Sequence, residues 1–194
     1  MVGTGSLITG IEQISSEYLE SQVRKATTDE QYLATMQSGY ENLEVIFNEL
    51  TDGDLSSAMD SFWESAEDLS ANVEDTSTRT AFLESADSLA GMFNSMSEKL
   101  IEYRETLNDT MPTIVNNINT LTRNIADLNA QIMQDEAAGA TGVCANDLRD
   151  ERERLLKELS GIMDVTILPQ DDGSISIAQG GRLLVYQDKS YDLS

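Results

Sequence analysis

Between Phe82 and Ile132 fifteen apolar residues recur at intervals of three and four: Phe82, Ala86, Leu89, Phe93, Met96, Leu100, Tyr103, Leu107, Met111, Ile114, Ile118, Leu121, Ile125, Leu128 and Ile132. Only an α-helix puts such positions on one face, because side chains three and four apart stand above one another along its surface. Alternating threes and fours is the narrow seam of coiled-coil packing. It is broken once, by two consecutive fours across Leu107 and Met111, which is a stutter. Pro112 lies beside that stutter. A proline inside a helix removes a hydrogen bond and clashes with the preceding turn, at a cost of about 3 kcal/mol, so a bend is expected there, with a break as the alternative. A helix from about Thr76 to about Asp135 would be roughly 90 Å long at 1.5 Å per residue. The expectation is a rod.

A seam spread along an axis gives one elongated domain, although 194 residues could bury a rounder core. Lysine and arginine number 12 against 35 aspartates and glutamates, a formal net charge of −23. Nucleic acid and anionic membrane would both repel such a surface, which reads as a solvated helical exterior. No apolar run approaches the roughly 18 residues of a membrane span, and no charged-then-apolar leader opens the chain, so neither a span nor a cleaved secretory signal is expected. Cys144 is the single cysteine and histidine is absent. A lone thiol without imidazole has neither a general base nor the usual metal-ligand company, and Cys144 is expected as a free thiol in a loop.

Residues 1–10 read as an irregular lead-in. Helical spacing begins from Leu7 through Ile11, Ile14, Tyr18 and Leu19, weakens over Gln22 to Glu30, and returns in Leu33, Met36, Tyr40, Leu43, Phe47 and Leu50, a second three-four seam suited to pair with the long helix. Thr51 to Asp54 stop it, and a shorter helix comes next with Leu55, Met59, Phe62, Ala66 and Leu69 on one face. Asn72 to Thr76 turns the chain into the long helix. The small residues from Ala137 to Gly142 suit a reversal between antiparallel helices. Asn146 or Asp147 can cap a further helix through Leu148, Leu155, Leu159 and Ile162. The period then becomes strand-like: Val165 to Leu168, the hairpin signal Asp172-Gly173, Ser174 to Ala178, and Gly180-Gly181 before Arg182 to Tyr186. Three short antiparallel strands are expected, packed on the end of the helices or against chain outside this sequence. The fold class is mainly α, an elongated antiparallel helical bundle built on one very long helix with a small antiparallel β-meander at the C-terminal end. Its domains are the lead-in over 1–10, the helical rod over 11–162, and the meander with the start of a following region over 163–194.

The inventory does not assemble a catalytic site. Without histidine, Ser-His-Asp and Cys-His arrangements are excluded, as are most zinc sites. Asp52-Gly53-Asp54 and Asp171-Asp172-Gly173 lack the alternating oxygen ligands and closing glutamate of a calcium loop and read as turns. Gly180-Gly181-Arg182 has no phosphate-cradle context and reads as hairpin glycine. Trp63 beside Phe62 could form an aromatic patch, but a tryptophan at helical spacing is expected in the core. Of the eight methionines, Met36, Met59, Met96 and Met111 fall on these apolar faces, as adaptable packing. Arg149, Asp150, Glu151, Arg152, Glu153 and Arg154 alternate in sign at helical spacing, which reads as solvated pairs within one helix. No catalytic, cofactor-binding or metal-ligating residue is assigned, and the chain reads as a non-enzyme.

Four stretches carry a family likeness. The first holds Ile11, Tyr18, Leu19, Gln22 and Arg24; the second Gly53, Leu55, Ser56, Asp60, Phe62, Trp63, Leu69, Glu74, Asp75 and Arg79. The third holds Asn119, Leu121, Ile125, Ala126, Leu128, Asn129, Gln131 and Ile132. The fourth runs from Ala145, Asn146, Asp147, Leu148, Arg149 and Asp150 through Arg152, Leu155, Leu156, Leu159 and Ser160 to Gln170, Asp171, Asp172, Gly173 and Gly180-Gly181. In this order they resemble the flagellar hook-associated protein 1 family, the hook-filament junction proteins. Gln13, Ser15, Ser16 and Val73 depart from its pattern of arginine, tyrosine, aspartate and proline. Family members are much longer, with assembly-driving terminal helices and further domains, so the chain resembles the N-terminal part of the rod domain and the start of the region after it.

The resemblance implies a structural subunit of the bacterial flagellum at the junction between hook and filament, a mechanical adaptor without catalytic activity. It implies an extracellular location reached by the flagellar type III pathway without a cleaved signal peptide. Implied partners are neighbouring copies of the chain in the assembled junction, the hook protein and the second junction protein, with no nucleic acid, no membrane, no small-molecule substrate and no cofactor. The alternative is a coiled-coil interaction module or adaptor of a secretion system. A junction fragment folds its helices back as a monomer, whereas an adaptor coil closes its seam between chains. An enzyme using carboxylates would need two acids converging in a pocket.

Overall fold

The structure is a computed structural model that describes residues 16–48, 55–137 and 143–194. In chain order these form helices α1 (Glu17–Asn48), α2 (Leu55–Ala71), α3 (Thr76–Ala137) and α4 (Val143–Ser160), then strands β1 (Thr166–Pro169), β2 (Ile175–Gln179), β3 (Arg182–Tyr186) and β4 (Lys189–Ser190). Asp75 starts α3 as an N-cap: its Oδ1 accepts the Ser77 N–H at 2.9 Å, satisfying one of the donors a helix start leaves free. The expected limits of the long helix, Thr76 and Asp135, agree with the observed ones to two residues. The expected stop at Thr51 to Asp54, the Ala138 to Gly142 part of the reversal, and the pattern before Ser16 lie outside the described residues.

Pro112 does not break α3, which is one helix of 62 residues with the proline inside it. The carbonyl of Asn108 loses its amide partner there. The turns from Arg104 to Ile114 are solvent-exposed throughout, so water can take the missing donor's place.

The chain divides beside that proline into two compact units. One holds the described residues up to Ala34 together with Met111–Ser194; the other is Thr35–Thr110. In the first, Ile118, Leu121, Ile125 and Ala126 of α3 join Leu155, Leu156 and Leu159 of α4 and Ile175, Ile177, Leu184 and Val185 of the sheet in one buried cluster. The meander therefore packs on helices of this chain.

The sheet is antiparallel in the order β1-β2-β3-β4. Gly180 and Gly181, with φ of 55° and 84°, make the two-residue turn between Gln179 and Arg182, the conformation whose twist suits a hairpin and whose positive φ glycine tolerates. Ile177 pairs with Val185 but Ala178 with Leu183, so Leu184 is a bulge residue. That extra residue lets the neighbours Leu184 and Val185 both be fully buried. A fourth strand, beyond the three expected, pairs Tyr186 with Lys189 and Val185 with Ser190. Two residues carry no alternation, which is why the sequence pattern does not show β4.

In the second unit Phe62 of α2 meets Phe82 of α3 with ring centroids 5.3 Å apart, and Ser65 Oγ and Ser85 Oγ are 2.6 Å apart. The hydroxyl of Tyr103 in α3 lies 3.8 Å from where a Cβ on Gly39 of α1 would stand.

The seams are corrected in two places. On α3, Phe93, Leu107, Met111 and Ile114 are exposed, although they continue the same spacing as the core residues. On α1, Leu33, Met36, Tyr40 and Phe47 are exposed and Ile46 is the buried residue. Helical spacing places residues on one face, but burial requires an element opposite that face.

Candidate functional site

Two features of the first unit are built from residues whose chemistry exceeds simple packing: a buried polar joint between helices and sheet, and the outward apolar side of α1.

At the joint, Asn129 of α3 is fully buried and uses its whole hydrogen-bonding capacity. Its Nδ2 donates to the carbonyls of Ile175 at 2.8 Å and Gln187 at 2.7 Å. Its Oδ1 accepts from Arg152 Nη1 at 2.8 Å and from the Ile175 N–H at 3.3 Å. Arg152 Nη1 also donates to the Gly173 carbonyl at 2.9 Å. Burial first, and the nearby Arg149 second, push the Arg152 guanidinium below its ordinary value, with Glu136 and Glu153 acting in opposition. Arginine remains charged in proteins, so the joint contains a desolvated cation held largely by neutral acceptors. Among the described residues, no buried side-chain nitrogen or oxygen lacks a hydrogen-bond partner.

The β1–β2 turn fits against this joint. Asp172 Oδ1 accepts the Ser174 N–H at 3.0 Å and its hydroxyl at 2.6 Å, and Oδ2 accepts Gln187 Nε2 at 3.0 Å. The Ser174 hydroxyl and amide are the main reasons the Asp172 carboxyl lies below its ordinary 3.8. Gln187, with φ of 54°, is the one non-glycine residue at positive φ among those described. Its side chain and its carbonyl are each tied, which holds that costly backbone conformation. Gly173, at φ 78°, has a backbone conformation that side chains rarely adopt, and a Cβ there would stand 2.5 Å from both carboxylate oxygens of Glu136, so Glu136, which pairs with Arg149, would have to move.

The mixed-charge run thus differs from its expected reading. Arg154 does pair within the helix, with Glu151 at 2.8 Å and Glu158 at 3.1 Å. Arg149, Arg152 and Glu153 instead reach other elements, Glu153 accepting Arg24 Nη1 of α1 at 2.5 Å. Helical spacing alone cannot separate these residues, because which side of α4 meets a neighbour is set by the tertiary fold.

The second feature arises from that contact. Toward α4, α1 presents polar groups: Arg24, and Thr28 whose hydroxyl donates to the Ser160 carbonyl at 2.7 Å. Glu20 on the same side is pushed up, by burial first and by Glu153 next, with Arg24 pulling it down. Leu19 and Leu33 lie on the opposite side and Val23 on its flank, and all three are exposed. An amphipathic helix ordinarily turns its apolar stripe inward; here the order is reversed.

Other singled-out residues fall elsewhere. Trp63 is 63% exposed, not core, because Phe62 occupies the covered side of α2 and stacks edge-on against it at 5.2 Å. The backbone of Cys144 lies in the first turn of α4, not in a loop, since α4 begins at Val143, ahead of both expected caps. Asp171 and Asp172 form a turn, while Asp52 to Asp54 lie outside the described residues. Among the described residues, no three acidic or cysteine side chains gather as a metal set, and no helix is long and apolar enough to cross a membrane.

Comparison with known proteins sets this geometry in a family. The profile described as the flagellar hook-associated protein FlgK helical domain matches residues 40–194. Flagellar hook-associated protein 1 of Bacillus subtilis (strain 168) is 30% identical over 177 residues, 91% of this chain and 34% of that protein. The protein of the same name from Salmonella typhimurium is 30% identical over 188 residues, 96% of this chain and 33% of that one. The chain thus spans about a third of the length of these relatives. The structure of the flagellar hook junction protein FlgK from Burkholderia pseudomallei shares the fold, with a TM-score of 0.73 at 24% identity over 88% of this chain and 30% of that one.

Proposed function

We propose, given that this chain belongs to the flagellar hook-associated protein 1 (FlgK) family, that it is part of a structural subunit seated between hook and filament, a mechanical adaptor that performs no catalysis. The observation that carries this reading is the reversed amphipathicity of α1. In its first-unit part Arg24 and Thr28 are tied to α4 while Leu19, Val23 and Leu33 face outward, an arrangement suited to a helix that is completed by assembly. The polar joint adds to it. A sheet fastened to α3 and α4 by a fully satisfied buried network gives a stiff seating for passing load.

Its partners in this reading are neighbouring copies of itself, the hook protein and the second junction protein. The net charge of −23 argues against nucleic acid and anionic membrane as partners. Delivery in this reading is through the flagellar type III pathway, to an extracellular position on the flagellum.

The test places Leu19→Glu and Leu33→Glu together in the gene of the flagellated cell. The expected result is hooks that lack filaments and filament subunit shed into the medium, while the purified chain keeps its far-UV helical signal. Filaments at wild-type frequency with the variant present at the hook would overturn the assignment.

A further inference from the structure

We propose that Tyr191–Leu193 is a strap that closes over α3 and opens separately from the sheet, with Asn119 as its buried hook and Arg123 and Arg182 as its outer lock. Each of its three residues is fastened. The Tyr191 N–H donates to the Leu184 carbonyl at 2.8 Å. The Asp192 carboxylate accepts Arg123 through both Nε and Nη2, and the Asp192 carbonyl accepts Arg182 Nη2 at 3.2 Å. The Leu193 N–H donates to Asn119 Oδ1 at 2.8 Å, and Asn119 Nδ2 donates back to the Leu193 carbonyl at 3.0 Å.

The last pair defines the hook. A carboxamide that gives one hydrogen bond to, and takes one from, the same residue behaves as a peptide group of a neighbouring strand would. It grips extended backbone without regard to side chain. Asn119 is 6% exposed, so an open strap would leave its donor and acceptor without these partners, and the closed state is favoured. The Leu193 side chain meanwhile packs on the apolar cluster that contains Ile118 and Leu121.

Separate opening rests on how the sheet and the strap are attached. Asn129 holds Ile175 and Gln187 with help from Arg152, and none of these residues bonds to the strap. The strap's hydrogen bonds to the sheet beyond the two-residue β4 are those of the Tyr191 amide and the Asp192 carbonyl, while Leu193 packs on the cluster that helices and sheet share. The outer lock is half-exposed, with Arg123 and Asp192 at 54% and 47%, so salt weakens it while the buried hook is screened far less.

Native-state hydrogen exchange on the chain with a flexible tail fused after Ser194 tests this, so that Leu193 is not read beside a chain end. In the wild type the Leu193 amide is expected to exchange through a local opening with little denaturant dependence, at least about tenfold faster than Ile177. Asn119→Ala is expected to raise Leu193 exchange about tenfold and leave Ile177 and Val185 within about twofold. Arg123→Gln is expected to raise it a few-fold, an effect that about 0.5 M salt reproduces in the wild type. Leu193 and Ile177 exchanging with one shared opening and one shared denaturant dependence would overturn the proposal, from the wild type alone. So would Asn119→Ala leaving Leu193 unchanged.

Discussion

The two units use the same helix in opposite ways. After Met111, α3 turns Ile118, Leu121, Ile125 and Ile132 into core and commits Asn129 to the sheet and Asn119 to Leu193; before it, the same spacing leaves Phe93 and Leu107 exposed and buries Met96. Among the described residues, Ile46 and Met96 are the only buried hydrophobics of the second unit. The seam repeat is equally good on both sides of Pro112. What differs is what stands opposite it: a sheet and α4 in the first unit, and in the second α2, which meets α3 through the pairs Phe62–Phe82 and Ser65–Ser85, and α1, whose Gly39 lies beside Tyr103. Periodicity decides which residues share a face, and partners decide whether the face is core.

The sharpest way to break that comparison is to put one charge at equivalent seam positions. Ile118→Asp places an unpaired carboxylate at a site 6% exposed and is expected to cost about 3–5 kcal/mol. Phe93→Asp, at a site 48% exposed, is expected to cost less than about 1 kcal/mol. Denaturant midpoints of both variants, followed by far-UV circular dichroism, check this. Equal losses would mean that the seam of the second unit is core after all.

This contrast also marks how far the sequence can be read. The limits of α3, the short α2 with Phe62 inward, the Asp172-Gly173 turn and the Gly180-Gly181 hairpin come from spacing and turn chemistry, which are local. The outward face of α1 does not, because Leu33, Met36 and Tyr40 keep a seam spacing whether or not a neighbour covers them. The joint is legible only as family likeness in Asn119, Asn129 and Arg152. A physical signal is nevertheless present. Thr122 and Asn129 stand at helical spacing from Ile118, Leu121, Ile125 and Ile132, and a polar residue on a buried stripe needs a partner from another element. Sequence alone does not say that the partner is Ile175 backbone, since that requires the sheet to be in place.

A second test asks whether the first unit depends on its polar joint as much as on its apolar cluster. Arg152→Met keeps much of the stem's packing but takes the Arg152 donor from the Gly173 carbonyl and leaves Asn129 Oδ1 with the longer Ile175 N–H bond alone. The expected loss is about 2–3 kcal/mol, with faster amide exchange at Ile175 and no change at Phe82. A variant as stable as the wild type would mean that the cluster alone seats the sheet.

Adjacent aromatics sharpen the picture within the second unit. Phe62 touches Phe82 across the helix pair while Trp63 is exposed. Phe62→Ala is therefore expected to cost about 1–2 kcal/mol, below the range for a fully buried phenylalanine, and Trp63→Ala less than about 0.5 kcal/mol. Thermal melts of the two variants decide it. A larger effect at Trp63 would place core where the structure shows solvent.

The smallest expected effect compares one motif that both units carry. Asp75 caps α3 through the Ser77 amide and hydroxyl, and Asp172 closes the β1–β2 turn through the Ser174 amide and hydroxyl. Both carboxyls lie below the ordinary value of 3.8, Asp75 through the Ser77 amide first and Asp172 through the Ser174 hydroxyl first. Hydrogen bonds that favour the charged form are the cause in each case. A depressed carboxyl adds stability that is fully present above the unfolded value and is lost as pH falls through the folded one. Both motifs should therefore be intact at pH 5 and weaken below about pH 3.8. They differ in what lies behind them. Asp172 also accepts Gln187, whose positive φ is tied to Asn129, whereas Asp75 stands at an exposed helix start. Acidification is expected to fray the first turn of α3 locally. At the β1–β2 turn it should free Gln187 as well, so that the Gln187 side-chain amide resonances shift together with the Ser174 amide. Carboxyl and amide chemical shifts followed between pH 5 and pH 2 read both sites in one titration. A Gln187 signal that stays fixed while the Asp172 carboxyl protonates would separate the turn from the joint, and the first unit's polar network would then end at Arg152.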